Sequence, residues 1–207
     1  YSYKLFDEAE STEWVAIAVV TRCKEASPQN RLVVARKENA SWDFIKWLQK
    51  NTHCEFSENA CSTAAAAGDL ELLMYLREQG CPWNNLTVIS AIDNGHLNCF
   101  LYARDQNCPL NAKQEPKYYA ANAGQIEIMT YLHNHGETWN VHSMREAASG
   151  GRVVCLKYLR DQGCPWNATV CRSAAGSGQL ECLVFLHENG CPWDAYAPGY
   201  AIVNNDW

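Results

Sequence analysis

The sequence contains no hydrophobic run long enough to cross a membrane and no excess of basic charge. Its longest apolar stretch, residues 14–20, is far shorter than the roughly 18 to 20 residues of a membrane-spanning helix. Lysine and arginine number 17 against 23 aspartate and glutamate residues, so the net charge is −6, and no block of like charge occurs. Because phosphate backbones and anionic lipids attract basic patches, we expect neither a membrane-spanning segment nor a nucleic-acid partner.

Short sequence signatures of catalysis and metal binding are also missing. No Cys-x-x-Cys pair occurs among the 11 cysteines, whereas zinc sites usually contain such close pairs. No local signature marks one cysteine as a nucleophile, and the glycine-rich stretches at 148–152 and 174–178 resemble hinges between helices more than phosphate-binding loops. We therefore expect no catalytic residue, no metal ligand and no cofactor.

Two clusters of histidine and cysteine keep a second class of function open. Their members are His53, Cys54 and Cys61 in one, and His133, His135 and His142 in the other. Such groups can activate a nucleophile or hold zinc when a fold brings them together. The alternative to a binding protein is therefore a cysteine/histidine-dependent or zinc-dependent enzyme, or a metal-binding protein.

What the sequence does contain is a repeat. When Gly68 is taken as an anchor, equivalent positions follow at spacings of 27, 29, 27, 27 and 27 residues, at Gly95, Gly124, Gly151, Gly178 and Asn205. Ala40 takes the anchor position in an earlier unit. A fixed period of this length is the signature of a solenoid. We expect repeats over 39–207, the last of them incomplete, after a degenerate helical cap over 1–38.

Each repeat predicts two short helices joined at the anchor. Small residues recur four and three positions before it, where they let neighbouring helices approach. Apolar residues recur two, five and eight positions after it, which is the spacing of one helix face. The anchor glycine suits the left-handed backbone conformation that ends a helix, so we expect a positive φ there. A basic residue recurs in the last turn of the second helix, where a cation is favoured.

A second motif occurs four times, each time directly after a second helix. It is GCPWN at 80–84 and 163–167, NCPLN at 107–111 and GCPWD at 190–194. Glycine ends the helix, proline prevents its continuation, and tryptophan is expected to fill the seam to the next repeat. Nine of the 11 cysteines recur at three repeat positions, so we interpret them as packing residues. We expect them to be reduced, because equivalent thiols belong to separate units.

These features resemble ankyrin repeats, in which an alanine pair, Gly-His-Leu, a leucine-rich helix and Gly-Ala-Asp-Val-Asn follow in that order. Residues 91–111 follow the same order, and the resemblance covers about residues 35–207. The ankyrin period is about 33 residues, and the shorter period here is similar to a GCPW variant found in protists, algae and giant viruses. The resemblance implies an all-α, ankyrin-type helix-turn-helix solenoid with shortened or absent β-hairpin fingers.

The resemblance also implies a non-enzymatic protein–protein interaction module, either an adaptor or a scaffold subunit of a larger assembly. A solenoid offers partners one extended surface instead of a pocket. In ankyrin repeats, the variable positions on the first helix of each unit contact the partner. Here those positions are Ser90, Asp93, Asn94, Tyr119, Asn122, Glu146, Ser173, Tyr200 and Asn204.

Two further segments are predicted to contact a partner. The repeat between Gly95 and Gly124 is longer than its neighbours, and insertions in solenoids form loops on one face. The predicted contacts of this loop are Lys113, Gln114, Glu115 and Tyr119. At the other segment the last repeat has no second helix, so we expect a partner chain or further sequence to cover Ile202, Val203 and Trp207.

The abundance of unpaired thiols favours an intracellular, reducing location. The cytoplasm is the first expectation. The sequence begins at Tyr1 instead of methionine, so an organelle is the alternative if the amino terminus is processed.

Overall fold

The computed structural model describes residues 31–38, 40–51, 58–110 and 115–194. These residues form twelve α-helices and no β-strand. The helices are α1 (Arg31–Lys37), α2 (Trp42–Asn51), α3 (Glu58–Ala67), α4 (Leu70–Glu78), α5 (Asn85–Asp93), α6 (Leu97–Asp105), α7 (Pro116–Ala123), α8 (Ile126–Asn134), α9 (Val141–Ser149), α10 (Val153–Asp161), α11 (Ala168–Gly176) and α12 (Leu180–Glu188). Within the described ranges, no helix is both long and apolar enough to cross a membrane.

The helices form two layers. The first helix of each repeat packs against the first helix of the next, so α3, α5, α7, α9 and α11 make an inner layer, and α1, within the predicted cap, extends it by packing on α3. The second helices pack back onto their own partners and make an outer layer. The described residues after each outer helix form short turns where a β-hairpin finger would lie. In the described residues, the predicted all-α solenoid of helix-turn-helix repeats with shortened or absent fingers is confirmed.

The core lies between the two layers. Small residues on the inner helices, such as Ala64 and Ala65, are fully buried, as their recurrence predicts. On the outer helices the residues five and eight positions after the anchor are buried, also as predicted. The position two after the anchor is only half-buried, and Leu180 there is 55% exposed. The position four after the anchor, which includes Cys99 and Cys155, completes the buried face instead, because the helix only begins two residues after the anchor.

The anchor glycines have two structural roles, of which the sequence revealed one. Gly95 has a φ of +75°, as predicted for a residue that ends a helix. A Cβ atom on Gly95 would also lie 2.6 Å from Oε1 of Gln125, the residue after the next anchor. The side chain of Gln125 reaches back across the glycine, and its Nε2 donates to the carbonyl of Asp93 over 3.3 Å. The glycine therefore also leaves room for a link between repeats.

The GCPWN motif ends one helix and starts the next. Gly80 has a φ of +77°, and the N–H of Cys81 donates to the carbonyl of Leu76 over 2.9 Å. The side chain of Asn84 then accepts a hydrogen bond from the N–H of Leu86, which caps α5. In the NCPLN copy, Asn107 replaces the glycine and keeps a positive φ of +54°, which asparagine tolerates better than most residues.

Candidate protein-interaction surface

The exposed end of α5 carries the first group of predicted contact residues. Asp93 and Asn94 are exposed, and Ser90 is half-buried. The Nδ2 of Asn94 donates to the carbonyl of Ser90 over 2.9 Å, which holds the amide against its own helix. The Asp93 carboxylate forms no ion pair with any described residue, and desolvation by neighbouring atoms raises its pKa above the ordinary value. Asp93 is therefore a carboxylate that has lost some water contact without gaining a cation.

Asn122 and Glu146 lie within the seam between two inner helices. The Nδ2 of Asn122, on α7, is 3.3 Å from Oε2 of Glu146 and 3.2 Å from Oγ of Ser149, both on α9. Both predicted contact residues are half-buried. Their hydrogen bonds fix α7 against α9, so part of their polar capacity is already used inside the chain.

Ser173 is hydrogen-bonded to Arg145 of the neighbouring repeat, a residue that is not among the predicted contacts. Its Oγ accepts a hydrogen bond from Nε of Arg145 over 3.3 Å and donates to the carbonyl of Thr169 over 3.0 Å. Arg145 is exposed on α9. The ankyrin pattern of variable positions does not include this place, so only the structure shows an exposed cation beside the predicted contacts.

The predicted contact loop is described from Glu115 onward, while Lys113 and Gln114 lie outside the described residues. Glu115 does not project away from the protein, because its Oε2 is 2.6 Å from Nζ of Lys117. Lys117 is nearly buried and also lies 3.2 Å from Oε2 of Glu137. Burial alone lowers the pKa of Lys117, but the hydrogen bonds to Glu115 and Glu137 outweigh it and raise the pKa overall. Tyr119 is half-buried on α7.

The predicted contacts near the carboxyl end lie outside the described residues. They are Tyr200, Asn204, Ile202, Val203 and Trp207.

Tryptophan and arginine of the recurring motif stack on each other. The guanidinium of Arg77 lies 4.1 Å from the ring centroid of Trp83 and donates to the carbonyl of Cys81. Arg160 and Trp166 repeat the stacking at 4.1 Å. The basic residue was predicted from the helix dipole alone. The structure adds a cation–π contact that holds the tryptophan in the seam.

Trp83, and Trp139 at the equivalent position after α8, also contact an aromatic residue of the next outer helix. Trp83 meets Tyr102 edge-on with 6.0 Å between centroids, and Trp139 meets Tyr158 at 6.1 Å. The aromatic residues recur seven positions after each anchor, as Tyr75, Tyr102, Tyr131, Tyr158 and Phe185. Sequence inspection missed this column although its period was visible.

Among the described residues, one seam, between the repeats anchored at Gly95 and Gly124, lacks the tryptophan contact and a thiol hydrogen bond that occur at other seams. Leu110 replaces the tryptophan and is 46% exposed, and Arg104 lies over Tyr131 of the next repeat at 5.4 Å. Elsewhere the motif cysteine donates to the preceding turn, as Cys164 Sγ does to the carbonyl of Asn140 over 3.2 Å. At this seam Glu137 stands in place of that cysteine, and an ionised carboxylate cannot donate.

The candidate catalytic clusters are not assembled in the described residues. His133 stacks near Trp139 at 6.2 Å, His135 on Tyr131 at 3.9 Å, and His142 against Tyr118 at 4.2 Å. Each histidine thus packs on its own aromatic neighbour. His53 and Cys54 lie outside the described residues. Among those described, no group of three or more histidine, cysteine, aspartate or glutamate residues is placed to hold a metal ion.

The chain is similar to solved structures, among them an ankyrin repeat domain. No protein-family profile matches the chain, and no curated protein matches it. Among solved structures, the chain is similar to the human ASB11 ankyrin repeat domain, with 22% identical residues and a TM-score of 0.49. The similarity covers 63% of this chain and 69% of that one. The helical solenoid itself is established by the packing of the described helices.

Proposed function

We propose that the chain is a non-enzymatic protein–protein interaction module that acts as an adaptor or as a scaffold subunit of a larger assembly. In this proposal its repeats are a short-period variant of the ankyrin repeat, of the kind found in protists, algae and giant viruses. The repeats occupy 39–207 behind a cap over 1–38, and α1 and α2 form a helix pair about Ala40. The protein works inside the cell in a reducing compartment, where the nine described cysteines are free thiols.

The observation that carries the proposal is the state of Asp93. Its carboxylate is exposed at the end of α5, yet it is partly desolvated and forms no ion pair with a described residue. Such a group costs the folded chain free energy, and a cation from a partner would recover it. We therefore propose that Asp93 receives a lysine or arginine of the partner.

The neighbouring inner helices α7, α9 and α11 are linked to one another by hydrogen bonds. Asn122 and Glu146 fix α7 to α9, and Arg145 links α9 to Ser173 of α11. A surface whose side chains are already held loses little entropy on binding. In the proposal the partner lies along this surface and also contacts Tyr119 and the loop before α7.

The test is copurification of tagged full-length chain from its native cells, with the bound proteins identified by mass spectrometry. Asp93→Lys places a cation opposite the expected partner cation, and we expect recovery of the partner to fall at least about tenfold, equivalent to roughly 1.4 kcal/mol. Asp161→Lys makes the same charge change at the exposed end of α10 in the outer layer and serves as the matched control. Equal recovery with both variants would refute the proposed role of Asp93.

A further inference from the structure

Two asparagines of the chain stand directly before a glycine that follows a helix. They are Asn94 before Gly95, at the end of α5, and Asn189 before Gly190, at the end of α12. No other Asn-Gly pair occurs in the sequence. Asparagine is a chemically labile residue. A following glycine makes it more so, because no Cβ atom shields the backbone nitrogen that can attack the asparagine side chain.

The turn at Asn94 opposes this reaction as long as it stays closed. The Nδ2 of Asn94 donates to the carbonyl of Ser90 over 2.9 Å, so the side-chain amide is held against its own helix. The N–H of Gly95 donates to the carbonyl of Ile92 over 3.0 Å, so the nitrogen that would attack is occupied. The turn must open before the two groups can meet.

The turn at Asn189 is held by the same local hydrogen bonds. The Nδ2 of Asn189 donates to the carbonyl of Phe185 over 2.8 Å, and the N–H of Gly190 donates to the carbonyl of His187 over 3.1 Å. Its backbone also matches the first turn, with an asparagine ψ of 12° against 2° and a glycine φ of +76° against +75°. A difference in reactivity between the turns must therefore come from their surroundings.

A contact from the next repeat covers only the first of these turns. At half-buried Gly95, Oε1 of Gln125 lies 2.6 Å from the place of an added Cβ, and Nε2 of Gln125 donates to the carbonyl of Asp93 over 3.3 Å. This side chain lies across the turn and bonds to the residue before the asparagine. At Gly190 no described atom outside its chain neighbours lies within 4 Å of the same place, and both Asn189 and Gly190 are exposed.

We propose that Asn189–Gly190 is a deamidation site of the folded protein and that Gln125 protects the same dipeptide at Asn94. When the second turn opens, the backbone nitrogen of Gly190 loses its proton to solvent and attacks Cγ of Asn189. The new N–Cγ bond closes a succinimide ring, the Cγ–Nδ2 bond breaks, and the Nδ2 group takes a proton from solvent and leaves as ammonia. Water then opens the ring at either carbonyl, which leaves aspartate or isoaspartate. The reaction consumes one water and releases one ammonia.

The product changes the carboxyl end of α12 permanently. Aspartate and isoaspartate both add a negative charge beside Glu188, at the helix end where the dipole disfavours one. Isoaspartate also inserts the Cβ atom into the main chain. The lengthened turn cannot keep the hydrogen bond from the N–H of Cys191 to the carbonyl of Leu186, now 2.9 Å long. Modification therefore releases the GCPWD motif from α12.

The repeats supply matched variants for a test. Asn189→Gln installs the residue that precedes the glycine in both GCPWN copies, and glutamine cyclises far more slowly because its ring is larger. Gln125→Ala removes the contact across the first turn. Gln125→Arg replaces it with the residue that stands at the equivalent position in the next repeat, where Arg152 lies across the anchor and donates from Nε to the carbonyl of Asn122 over 3.0 Å.

The experiment incubates the folded, reduced full-length chain at mildly alkaline pH in water labelled with heavy oxygen. Peptide mapping by mass spectrometry then follows the label at residues 94 and 189, and digestion in ordinary water excludes deamidation during the digest. A parallel sample in urea gives the rates of the open turns, which we expect to be similar at both positions. In the folded chain we expect residue 189 to react roughly two- to tenfold faster than residue 94, which is the effect of one net hydrogen bond on an opening equilibrium.

The variants separate the contact from overall stability. Gln125→Ala should raise the rate at residue 94 to about that at residue 189 and leave residue 189 unchanged, and Gln125→Arg should restore the slow rate. Asn189→Gln should take up no label at residue 189. Circular dichroism establishes that each variant is folded. An unchanged rate at residue 94 in folded Gln125→Ala would overturn the protective role of Gln125.

The wild type alone also decides the proposal. Equal rates at the two positions in the folded chain would overturn it, and so would the absence of label at residue 189. A difference between the positions that persists in urea would show that the neighbouring sequence is the cause instead of the contact from the next repeat.

Discussion

Gly150 is the position where the closest approach of two inner helices can be tested by one methyl group. It ends α9 with φ of −77° and ψ of −3°, a conformation that alanine adopts without strain. At such a site Gly→Ala ordinarily stabilises a protein by about 0.4–1 kcal/mol, because it restricts the unfolded chain. Here, however, the added Cβ would lie 2.1 Å from the carbonyl oxygen of Asn122, which belongs to the backbone of α7.

The expected cost follows from that contact. Carbon and carbonyl oxygen atoms normally keep about 3.3 Å apart, so α9 must move from α7 by roughly 1 Å. Overpacking of this kind costs about 1–3 kcal/mol. The movement also disturbs the hydrogen bond from Arg152 Nε to the same carbonyl, 3.0 Å long, and the one from Asn122 Nδ2 to Ser149. Each contributes about 0.5–1.5 kcal/mol. We expect Gly150→Ala to destabilise the chain by about 2–4 kcal/mol.

The assay is urea unfolding followed by circular dichroism, with Gly136→Ala as the comparison. Gly136 has a φ of +91°, and no atom lies within 4 Å of an added Cβ. Gly136→Ala should therefore be destabilised only by the strain of alanine at a positive φ, about 1–2 kcal/mol. The sign of the change in unfolding free energy caused by Gly150→Ala distinguishes the two effects. Restriction of the unfolded chain would stabilise the variant, whereas the contact with the Asn122 carbonyl would destabilise it. A variant as stable as the wild type, or more stable, would show that α7 and α9 do not approach as described.

Further predictions concern the hinge, the binding surface and the two ends of the proposed contact. Gly95→Val should destabilise by more than the roughly 1 kcal/mol of an ordinary helix substitution, and an unchanged melting temperature would contradict the role of its positive φ. Burial raises the pKa of Asp93 above 3.8, so the folded state is penalised at pH values above its folded pKa and relieved as the pH falls through it. Asp93→Asn should therefore raise the melting temperature slightly at pH 7, and the gain should vanish below pH 3.8; a gain that persists there would have another cause. Replacement of Lys113, Gln114, Glu115 and Tyr119 with alanine should reduce partner copurification, and undiminished recovery would make the loop a spacer. Ile202→Glu with Val203→Glu should weaken partner binding or change the light-scattering mass, and a variant that matches the wild type in both would remove this end from the contact surface.

The period of the chain was enough to predict the solenoid, because each repeat carries its own helix-ending glycines and apolar spacing. Links between repeats were harder to predict. The close approach of Gln125 to Gly95 depends on how two units stack, and nothing in either unit alone specifies it. At the position four residues after the anchor, the sequence predicted packing cysteines in three repeats but did not place Leu72 and Ile128 on the same buried face.

The candidate site likewise depends on residues within one repeat and on contacts that form only when the repeats stack. Family variability selected Asn122, Glu146 and Ser173 as contacts, and the structure places all three in hydrogen bonds between inner helices. A polar residue that bonds to the next repeat cannot be distinguished by sequence from one that faces a binding partner. The distinction requires knowing how the repeats stack.

The seam with Leu110 and Glu137 makes the array mechanically uneven. In a solenoid each unit contacts only its neighbours, so the interface with the fewest stabilising contacts is the first to separate under load. At this seam a leucine replaces the wedged tryptophan and a carboxylate replaces the thiol donor. Under tension along the array, we expect α1–α6 and α7–α12 to separate here while the helix pairs on either side stay intact. The array can then change its curvature at one defined place.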